Sequence, residues 1–128
     1  MTVNKEEIPP SYKRESGLWV LKLEDVKLPE GFDESERSIV YIPPGEVGGN
    51  HRHPRTEAII GIGDLELVWI DENEKKHREL MNKNGKLTLF VVSAMTPHAV
   101  RKTSSKNFGM LLEFASEPQH DVELVDVA

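Results

Sequence analysis

Apolar residues along this chain fall in short runs separated by turn-forming residues, and no stretch keeps an apolar period of 3.6 residues. The run at residues 65–70 alternates, which places Leu65, Leu67 and Trp69 on one face of a predicted strand. The run at 87–92 is apolar on both faces toward its end and predicts a central strand. Further strands are predicted over residues 38–42, 58–60, 75–80, 98–102 and 108–114. The pattern predicts an all-β sandwich or barrel with little helix.

The two ends of the chain follow a different pattern. Residues 1–16 are polar and contain two successive prolines, which predicts an arm or an edge segment. Residues 17–23 are rich in Leu and Val and predict a strand, whereas the charged residues 24–36 predict a loop. The tail at 121–127 alternates acidic and apolar residues, as an added edge strand would. The predicted organisation is an N-terminal arm, 1–16, followed by a single domain, 17–128.

Composition and charge narrow the classes of function. The chain has 128 residues, of which 38% are hydrophobic and 30% are charged, as in a globular domain. Its net charge of -6 argues against a nucleic-acid partner, which needs a basic face. No apolar run is long enough for a membrane span, and the N-terminus lacks the apolar core of a secretory signal, so we expect a cytoplasmic protein. Without cysteine, disulfides and thiolate chemistry are excluded.

A glycine-bounded stretch in the middle of the chain carries side chains that bind metals. His51 and His53 are two residues apart, so on an extended strand both project to the same side. Glu57 shares their parity and, after a bend at Pro54, is expected to reach back toward them. Two imidazoles and a carboxylate suit a divalent Fe, Mn, Ni, Co or Zn ion. His98, which follows a proline at the start of a later apolar run, is the fourth candidate ligand.

Three His and one Glu, split three plus one between two segments, resemble the metal-binding signature of the cupins. The first cupin motif is Gly, five residues, His-x-His, three or four residues, Glu, six residues, Gly. The residues that fit it are Gly45, His51, His53 and Glu57, with the closing Gly63 one residue early. Of the second motif only His98 is present, because Ser93, Met95 and Lys102 stand where Pro, Gly and Asn are expected.

The cupin resemblance covers roughly residues 36–116 of the chain. It implies a double-stranded β-helix, also called a jelly-roll barrel, in a single copy. It also implies one divalent metal ion, held by His51, His53, Glu57 and His98. A homodimer is a further implication, in which the N-terminal arm pairs with the neighbouring subunit.

Strand parity selects six candidates for a pocket beside the ligands: Tyr41, Arg55, Trp69, Phe90, Arg101 and Met110. Arg55 and Arg101 flank the ligands in sequence. An arginine clamps a carboxylate or phosphate through two parallel bonds, which favours an anionic small-molecule ligand. Tyr41 is a candidate proton donor, the alternative being a core tyrosine with its hydroxyl at the rim. Trp69 and Phe90 are most simply interpreted as core aromatics.

Within the cupins, the segments GGNHRHPRTE and LEFASEP resemble the small cupins of sugar-nucleotide and capsular polysaccharide biosynthesis. Several of those are epimerases or ketoisomerases, which implies proton transfer beside a carbonyl. The candidate catalytic residues are then Tyr41, His53 and Arg55. In one branch the His-x-His pair is the general acid and base without a metal, so that His51 or His53 would move the proton while Glu57 orients the imidazole.

Three function classes stay open on the sequence. The first is a metal-dependent isomerase or epimerase that acts on a small carbohydrate or oxo-acid, with the metal as Lewis acid. The second is an iron-dependent dioxygenase that uses the same four ligands. The third is a non-catalytic cupin that binds a small ligand or a metal. His77 and His120 lie outside the motifs and are predicted to take no part in metal binding.

Overall fold

The structure is a computed structural model that describes residues 1–104 and 107–128. Its strands are β1 (Val3–Ile8), β2 (Tyr12–Lys13), β3 (Trp19–Val20), β4 (Glu36–Ile42), β5 (Val47–Arg52), β6 (Glu57–Gly63), β7 (Leu65–Ile70), β8 (Lys76–Leu80), β9 (Leu87–Val92), β10 (His98–Lys102), β11 (Gly109–Ala115) and β12 (Glu123–Leu124). The helical segments of the described residues are two short 3-10 turns, Leu23–Asp25 and Lys83–Gly85. The prediction of little helix is confirmed, and within the described ranges no helix combines the length and the apolar character needed to cross a membrane.

Two antiparallel sheets of five strands each form the body of the molecule. The first sheet has the order β1-β9-β6-β11-β4, and the second has the order β12-β5-β10-β7-β8. From β4 onward the strands pair in a nested way: β4 with β11, β5 with β10, β6 with β9, and β7 with β8. Successive pairs alternate between the two sheets. This is a long hairpin folded over on itself, so the predicted double-stranded β-helix is confirmed.

The main core lies between the two sheets. Ile59 and Phe90 enter it from the first sheet, while Leu65, Leu67 and Val100 enter it from the second. Each of these five side chains is no more than 3% exposed. The alternation along β7 therefore predicted the buried face correctly, and β9 is a central strand as predicted, since it lies between β1 and β6.

A second apolar cluster covers the outer face of the first sheet. The sheet contributes Ala58, Ile60, Leu87, Leu89 and Phe114. The segment that follows β3 covers them with Leu21, Val26, Leu28 and Phe32. The strand predicted over residues 17–23 is wrong for most of its length, because only Trp19–Val20 pairs with another strand. Leu21 lies outside that strand and packs on the outer face of the first sheet.

The N-terminal segment forms an edge of the first sheet. β1 is hydrogen-bonded to β9 of the same chain, with Val3 opposite Val92 and Ile8 opposite Leu87. This corresponds to the edge-segment alternative of the sequence interpretation, while the division into an arm and a domain at residue 17 stays a prediction. At the other end of the chain, β12 pairs with β5, so the predicted edge strand is present over two residues.

Candidate metal site

Three histidine side chains from neighbouring strands meet in the space between the sheets. His51 lies in β5, His53 follows directly after that strand, and His98 is the first residue of β10. The ring centroids are 4.8 Å apart for His51 and His53, 4.9 Å for His51 and His98, and 5.0 Å for His53 and His98. One ring nitrogen from each lies within 4.8 Å of the others, a spacing at which all three can ligate one ion.

A β-bulge places two of these histidines opposite each other on neighbouring strands. His98 pairs with His51, but the next residue, Ala99, pairs with Gly49, so Asn50 is the extra residue on β5. Gly49 has a φ of +90°, and a Cβ atom there would lie 2.9 Å from the carbonyl oxygen of His98. Glycine is therefore required at this close approach between the strands.

The carboxylate of Glu57 lies against the imidazoles. Glu57 opens β6 and is buried, and its Oε1 atom is 3.3 Å from Nε2 of His53 and 3.2 Å from Nε2 of His98. Burial opposes the ionisation of Glu57, but Arg55 donates two hydrogen bonds to its second oxygen, Oε2, at 3.0 and 2.7 Å and so favours the ionised carboxylate. The fourth residue of the predicted ligand set is thus an ionised carboxylate beside the three histidines.

Backbone carbonyls orient two of the rings. Nδ1 of His53 donates to the carbonyl oxygen of Arg55 at 3.1 Å, and Nδ1 of His98 donates to that of Thr96 at 2.8 Å. Because a carbonyl oxygen only accepts, the proton of each neutral ring is on Nδ1, and Nε2 presents a lone pair to the site. Among the described residues the buried Nε2 atom of His53 has no hydrogen-bond partner.

The chemistry of this donor set fits a divalent cation. Two Nε2 lone pairs and a carboxylate oxygen converge within 3.3 Å, an arrangement that repels itself unless positive charge lies between the atoms. Burial, together with the neighbouring His98 and His53, lowers the pKa of His51 to about 4. His51 is therefore neutral at physiological pH, which is the form that binds metals.

Arg55 binds the carboxylate oxygen of Glu57 that does not face the histidines. Its Nε and Nη2 atoms donate to Oε2 of Glu57 at 3.0 and 2.7 Å, and Nη2 also donates to Glu113 at 2.7 Å. Nη1 donates to Glu36 and to the carbonyl oxygen of Glu117. These five bonds match the number of N–H groups on a guanidinium, so Arg55 has none left for an incoming anion. The predicted clamp for an anionic ligand is not available at Arg55.

A cavity of about 250 Å³ opens beside the histidines. Apolar side chains form one side of it: Val40, Ile59, Val100 and Leu111. Polar and ionisable side chains form the other: His51, Arg55, Glu57, His98, Glu113 and Gln119. A mostly apolar pocket with a few convergent polar groups is the usual character of a small-molecule site.

Sequence reasoning missed Glu113 and Gln119 as residues of this cavity. Burial and the neighbouring Glu57 carboxylate raise the pKa of Glu113 to about 8, which favours its protonated form at neutral pH. A signal for Glu113 was present, because alternation along GMLLEFA places it on the same face as Gly109 and Leu111. Gln119 lies in a loop, where no periodicity points to it.

The structure does not bring the other predicted pocket residues to the cavity. Tyr41 and Met110 lie opposite each other on the outer face of the first sheet, where Tyr41 stacks on Phe108. Arg101 is paired with Glu66 at 2.8 Å on the outer face of the second sheet.

The remaining aromatic candidates and the two excluded histidines also lie away from the cavity. Phe90 is in the core, and Trp69 packs against that core and stacks on His77 with ring centroids 5.0 Å apart. His77 is bonded to Asp71 and His120 to Glu117, so neither joins the three-histidine cluster.

Comparisons with known proteins identify the architecture. No protein-family model matches the chain, and no curated protein sequence matches it. Among solved structures, the capsular polysaccharide assembling protein CapF from Staphylococcus aureus is similar with a TM-score of 0.64 and 18% identity over 74% of this chain. The similar region is 29% of CapF, so this chain spans less than a third of that protein.

Two sugar isomerases are similar over most of their own length. A dTDP sugar isomerase from Desulfovibrio desulfuricans G20 has a TM-score of 0.69 and 15% identity, covering 97% of this chain and 82% of that one. A mutant of the 3,4-ketoisomerase QdtA from Thermoanaerobacterium thermosaccharolyticum, in complex with TDP-4-keto-6-deoxyglucose, has a TM-score of 0.67 and 11% identity, covering 93% and 83%. At 11–18% identity, these three structures share the fold of this chain. With the nested strand pairs and the histidine cluster already described, the likeness shows that this chain has the cupin fold.

Proposed function

We propose that this protein is a metal-dependent cupin enzyme that isomerises or epimerises a small carbohydrate or oxo-acid. The observation that carries the proposal is the convergence of two Nε2 lone pairs on an ionised carboxylate. Nε2 of His53 is buried and has no hydrogen bond from any described residue. Such a donor set is costly to bury unless a cation is bound. Perturbed ionisable groups around a cavity are also typical of catalytic sites.

The residues that would hold the ion are His51, His53, His98 and, through Oε1, Glu57. A bound divalent ion supplies a Lewis acid that polarises a carbonyl or hydroxyl oxygen. The chain's own residues prepare the site for it. The carbonyl oxygens of Arg55 and Thr96 orient two imidazoles, Arg55 holds the second oxygen of Glu57, and apolar side chains exclude water from one side of the cavity.

The substrate class is supported by the structural neighbours and by the size of the cavity. Two of the neighbours are named as sugar isomerases, and one of them is in complex with TDP-4-keto-6-deoxyglucose. A cavity of about 250 Å³ suits a sugar ring or a short oxo-acid better than a whole nucleotide sugar. We therefore propose that the reacting group alone enters the cavity.

A second candidate is general acid–base catalysis by the histidines without a metal. The observation that favours it is the contact of Glu57 Oε1 with both Nε2 atoms, because a proton on either ring would then be held by a carboxylate. Glu57 contacts only His53 and His98 among the three histidines, so His51 is named as the proton carrier on a separate ground: it lines the cavity, whereas His53 is buried and does not.

Elemental analysis of the untagged protein tests the metal site. We expect close to one divalent ion per chain in the wild type, and loss of that ion in His51→Ala and in His98→Ala. His77→Ala and His120→Ala are matched controls, because those histidines are bonded to Asp71 and Glu117 away from the cluster. Metal loss in either control would overturn the ligand assignment. If the wild-type protein neither contains nor takes up Fe, Mn, Ni, Co or Zn, the metal-dependent proposal is wrong and acid–base catalysis by the histidines is the remaining candidate.

The reaction class is tested with keto-sugars and oxo-acids under strict anaerobiosis in deuterated water. In the absence of molecular oxygen, an isomerase or epimerase still incorporates deuterium at the carbon beside the carbonyl group of its substrate. Turnover that occurs only in a parallel aerated sample and consumes oxygen would instead indicate the iron-dependent dioxygenase. Saturable binding with neither exchange nor oxygen uptake would indicate a non-catalytic binding cupin.

A further inference from the structure

We propose that Asn50 and the segment 123–128, here called the C-terminal strap, position the imidazole of His51 in the metal site. The proposal rests on the proposed function only in taking His51 as a ligand. Asn50 directly precedes His51 and is the extra residue of the β5 bulge, and the C-terminal strap runs along the free edge of β5. Asn50 does not touch the cavity, so it is a positioning residue.

In the part of the chain that the structure describes, the ring of His51 lacks the hydrogen bond to a backbone carbonyl that orients each of the other two histidine rings. Nδ1 of His53 and Nδ1 of His98 donate to backbone carbonyls, which fixes both rings. Within the described ranges, neither ring nitrogen of His51 has a hydrogen-bond partner, and His51 is only partly buried. Its orientation therefore depends on the backbone on either side of it.

The C-terminal strap holds that backbone through Asn50. The carbonyl oxygen of Asn50 accepts a hydrogen bond from the backbone N–H of Val125 at 2.9 Å. Its side-chain Oδ1 atom accepts two more, from the N–H groups of Val127 at 3.1 Å and Ala128 at 2.8 Å. Asn50 has a φ of +56°, a left-handed conformation that asparagine tolerates better than most residues.

Further contacts fasten the C-terminal strap at both of its ends. Leu124 pairs with His51 across the strands, and Glu123 receives two bonds from Arg52 at 3.0 and 2.7 Å. Val127 is 0% exposed and packs with Val68 and Ala99 on the outer face of the second sheet. The side chain of Asn50 thus links the buried end of the C-terminal strap to the bulge that aims His51.

The test uses three variants of the full chain, each titrated with Co²⁺ after metal removal. Asn50→Gly keeps the left-handed backbone but removes the Oδ1 acceptor. Asn50→Asp keeps an acceptor oxygen in the same place and is the conservative rescue. Asn84→Gly is the matched control, because Asn84 also has a positive φ, +58°, but lies in the turn before β9.

We expect Asn50→Gly to weaken Co²⁺ binding by about tenfold or more, the size of effect that ligand-orienting partners have. The visible absorption spectrum of the bound Co²⁺ should change with it, since a misplaced His51 alters the ligand field. Asn50→Asp should restore both affinity and spectrum, and Asn84→Gly should match the wild type. Wild-type affinity and spectrum in Asn50→Gly would overturn the proposal, as would an equal loss in Asn84→Gly.

The positioning role of Asn50 can be tested even if the protein binds no metal. Wild-type protein that takes up no Co²⁺ contradicts the metal-dependent function, and the role of Asn50 is then decided by NMR of the imidazole ring of His51. We expect its ring resonances to shift or broaden in Asn50→Gly and to return in Asn50→Asp. Unchanged resonances in Asn50→Gly would overturn the positioning role.

Discussion

Arg55 is the residue on which the carboxylate side of the site depends. It is 4% exposed and uses its N–H groups on Glu57, Glu36, Glu113 and one carbonyl oxygen. One oxygen of Glu57 is thereby held by Arg55, while the other faces His53 and His98. Arg55 thus fixes the carboxylate in one orientation and compensates its buried charge.

Removing Arg55 should destabilise the protein strongly. We expect Arg55→Ala to lower the free energy of unfolding by about 3–5 kcal/mol, because the buried carboxylate of Glu57 is left without its cationic partner. Urea denaturation with a constant slope measures this change. Arg101→Ala is the control, since Arg101 pairs with Glu66 alone and its side chain is 41% exposed, and it should cost about 1 kcal/mol or less. Equal losses in the two variants would show that Arg55 is an ordinary ion-pairing residue.

The identities of the site residues were more predictable than their roles. His51, His53, Glu57 and His98 follow from spacing and from the cupin motifs, and the structure places all four together. Arg55 was predicted to bind an anionic ligand, but its guanidinium instead binds carboxylates of its own chain, because these lie nearest to it in space. Glu36 and Glu113 are 19 and 58 residues away from Arg55, and no local pattern connects them.

At the scale of elements, the pairing of β5 with β10 decides the geometry of the site. The bulge at Asn50 shifts the register so that His51 lies opposite His98, and Gly49 lets the two backbones approach. A side chain at Gly49 would meet the carbonyl oxygen of His98 at 2.9 Å and Cα of Ala99 at 3.1 Å. The close contact is with the backbone of β10, which cannot turn aside as a flexible side chain can.

Gly49→Ala should therefore disturb both the fold and the site. We expect a loss of about 2–5 kcal/mol in the free energy of unfolding, from left-handed strain together with overpacking against β10. Weaker Co²⁺ binding should accompany it, because the clash falls on the backbone of His98. Gly45→Ala isolates the strain, since Gly45 has a similar φ of +83° but no atom within 4 Å of an added Cβ. It should cost only about 1–2 kcal/mol and leave Co²⁺ binding unchanged. Similar effects from both variants would contradict the role of the close approach.

Strands with a clear apolar run were predicted well, whereas β1 and the segment that follows β3 were not. Strand β7 was predicted with its actual bounds, because its buried face repeats every second residue. The four middle residues of β1 are exposed, so the sequence VNKEEI carries no alternation that would reveal a strand. The apolar residues after β3 instead cover a sheet as an irregular segment, and apolar content alone does not distinguish that from a strand.

At the scale of the whole molecule, the nested strand pairs explain how distant residues form one site. His98 is far from His51 along the chain, yet β5 and β10 are partners in the folded hairpin, so the two residues become neighbours. The 3+1 arrangement of ligands in the sequence is a direct consequence of this topology. The cupin resemblance could therefore predict the fold and the ligands together, whereas the hydrogen-bonded environment of each ligand depends on loops that the topology does not specify.

The described part of the chain leaves one face of the molecule uncovered. On the outer side of the first sheet, the segment that follows β3 covers the part formed by β6, β9 and β11, but it does not reach β4. Ile39 is 70% exposed there, Tyr41 57% and Phe108 53%, and Ile62 adjoins them. β4 is also an edge strand, whose outer hydrogen-bonding groups are unpaired among the described residues.

We expect the predicted homodimer to form through this uncovered face and not through the N-terminal arm, because β1 of the arm pairs with β9 of its own chain. Two copies related by a two-fold axis can pair their β4 strands antiparallel and bury Ile39 and Tyr41 of each, because such an interface uses the same surface twice. In sedimentation velocity at micromolar concentration the wild type should be a dimer. Ile39→Asp should weaken the dimer at least about tenfold, since it places a charge at the centre of an apolar contact. Leu124→Asp is the control, because Leu124 is 83% exposed on the opposite sheet, and it should leave the dimer unchanged. A monomeric wild type would contradict the homodimer, and a dimer that survives Ile39→Asp would move the interface to another surface.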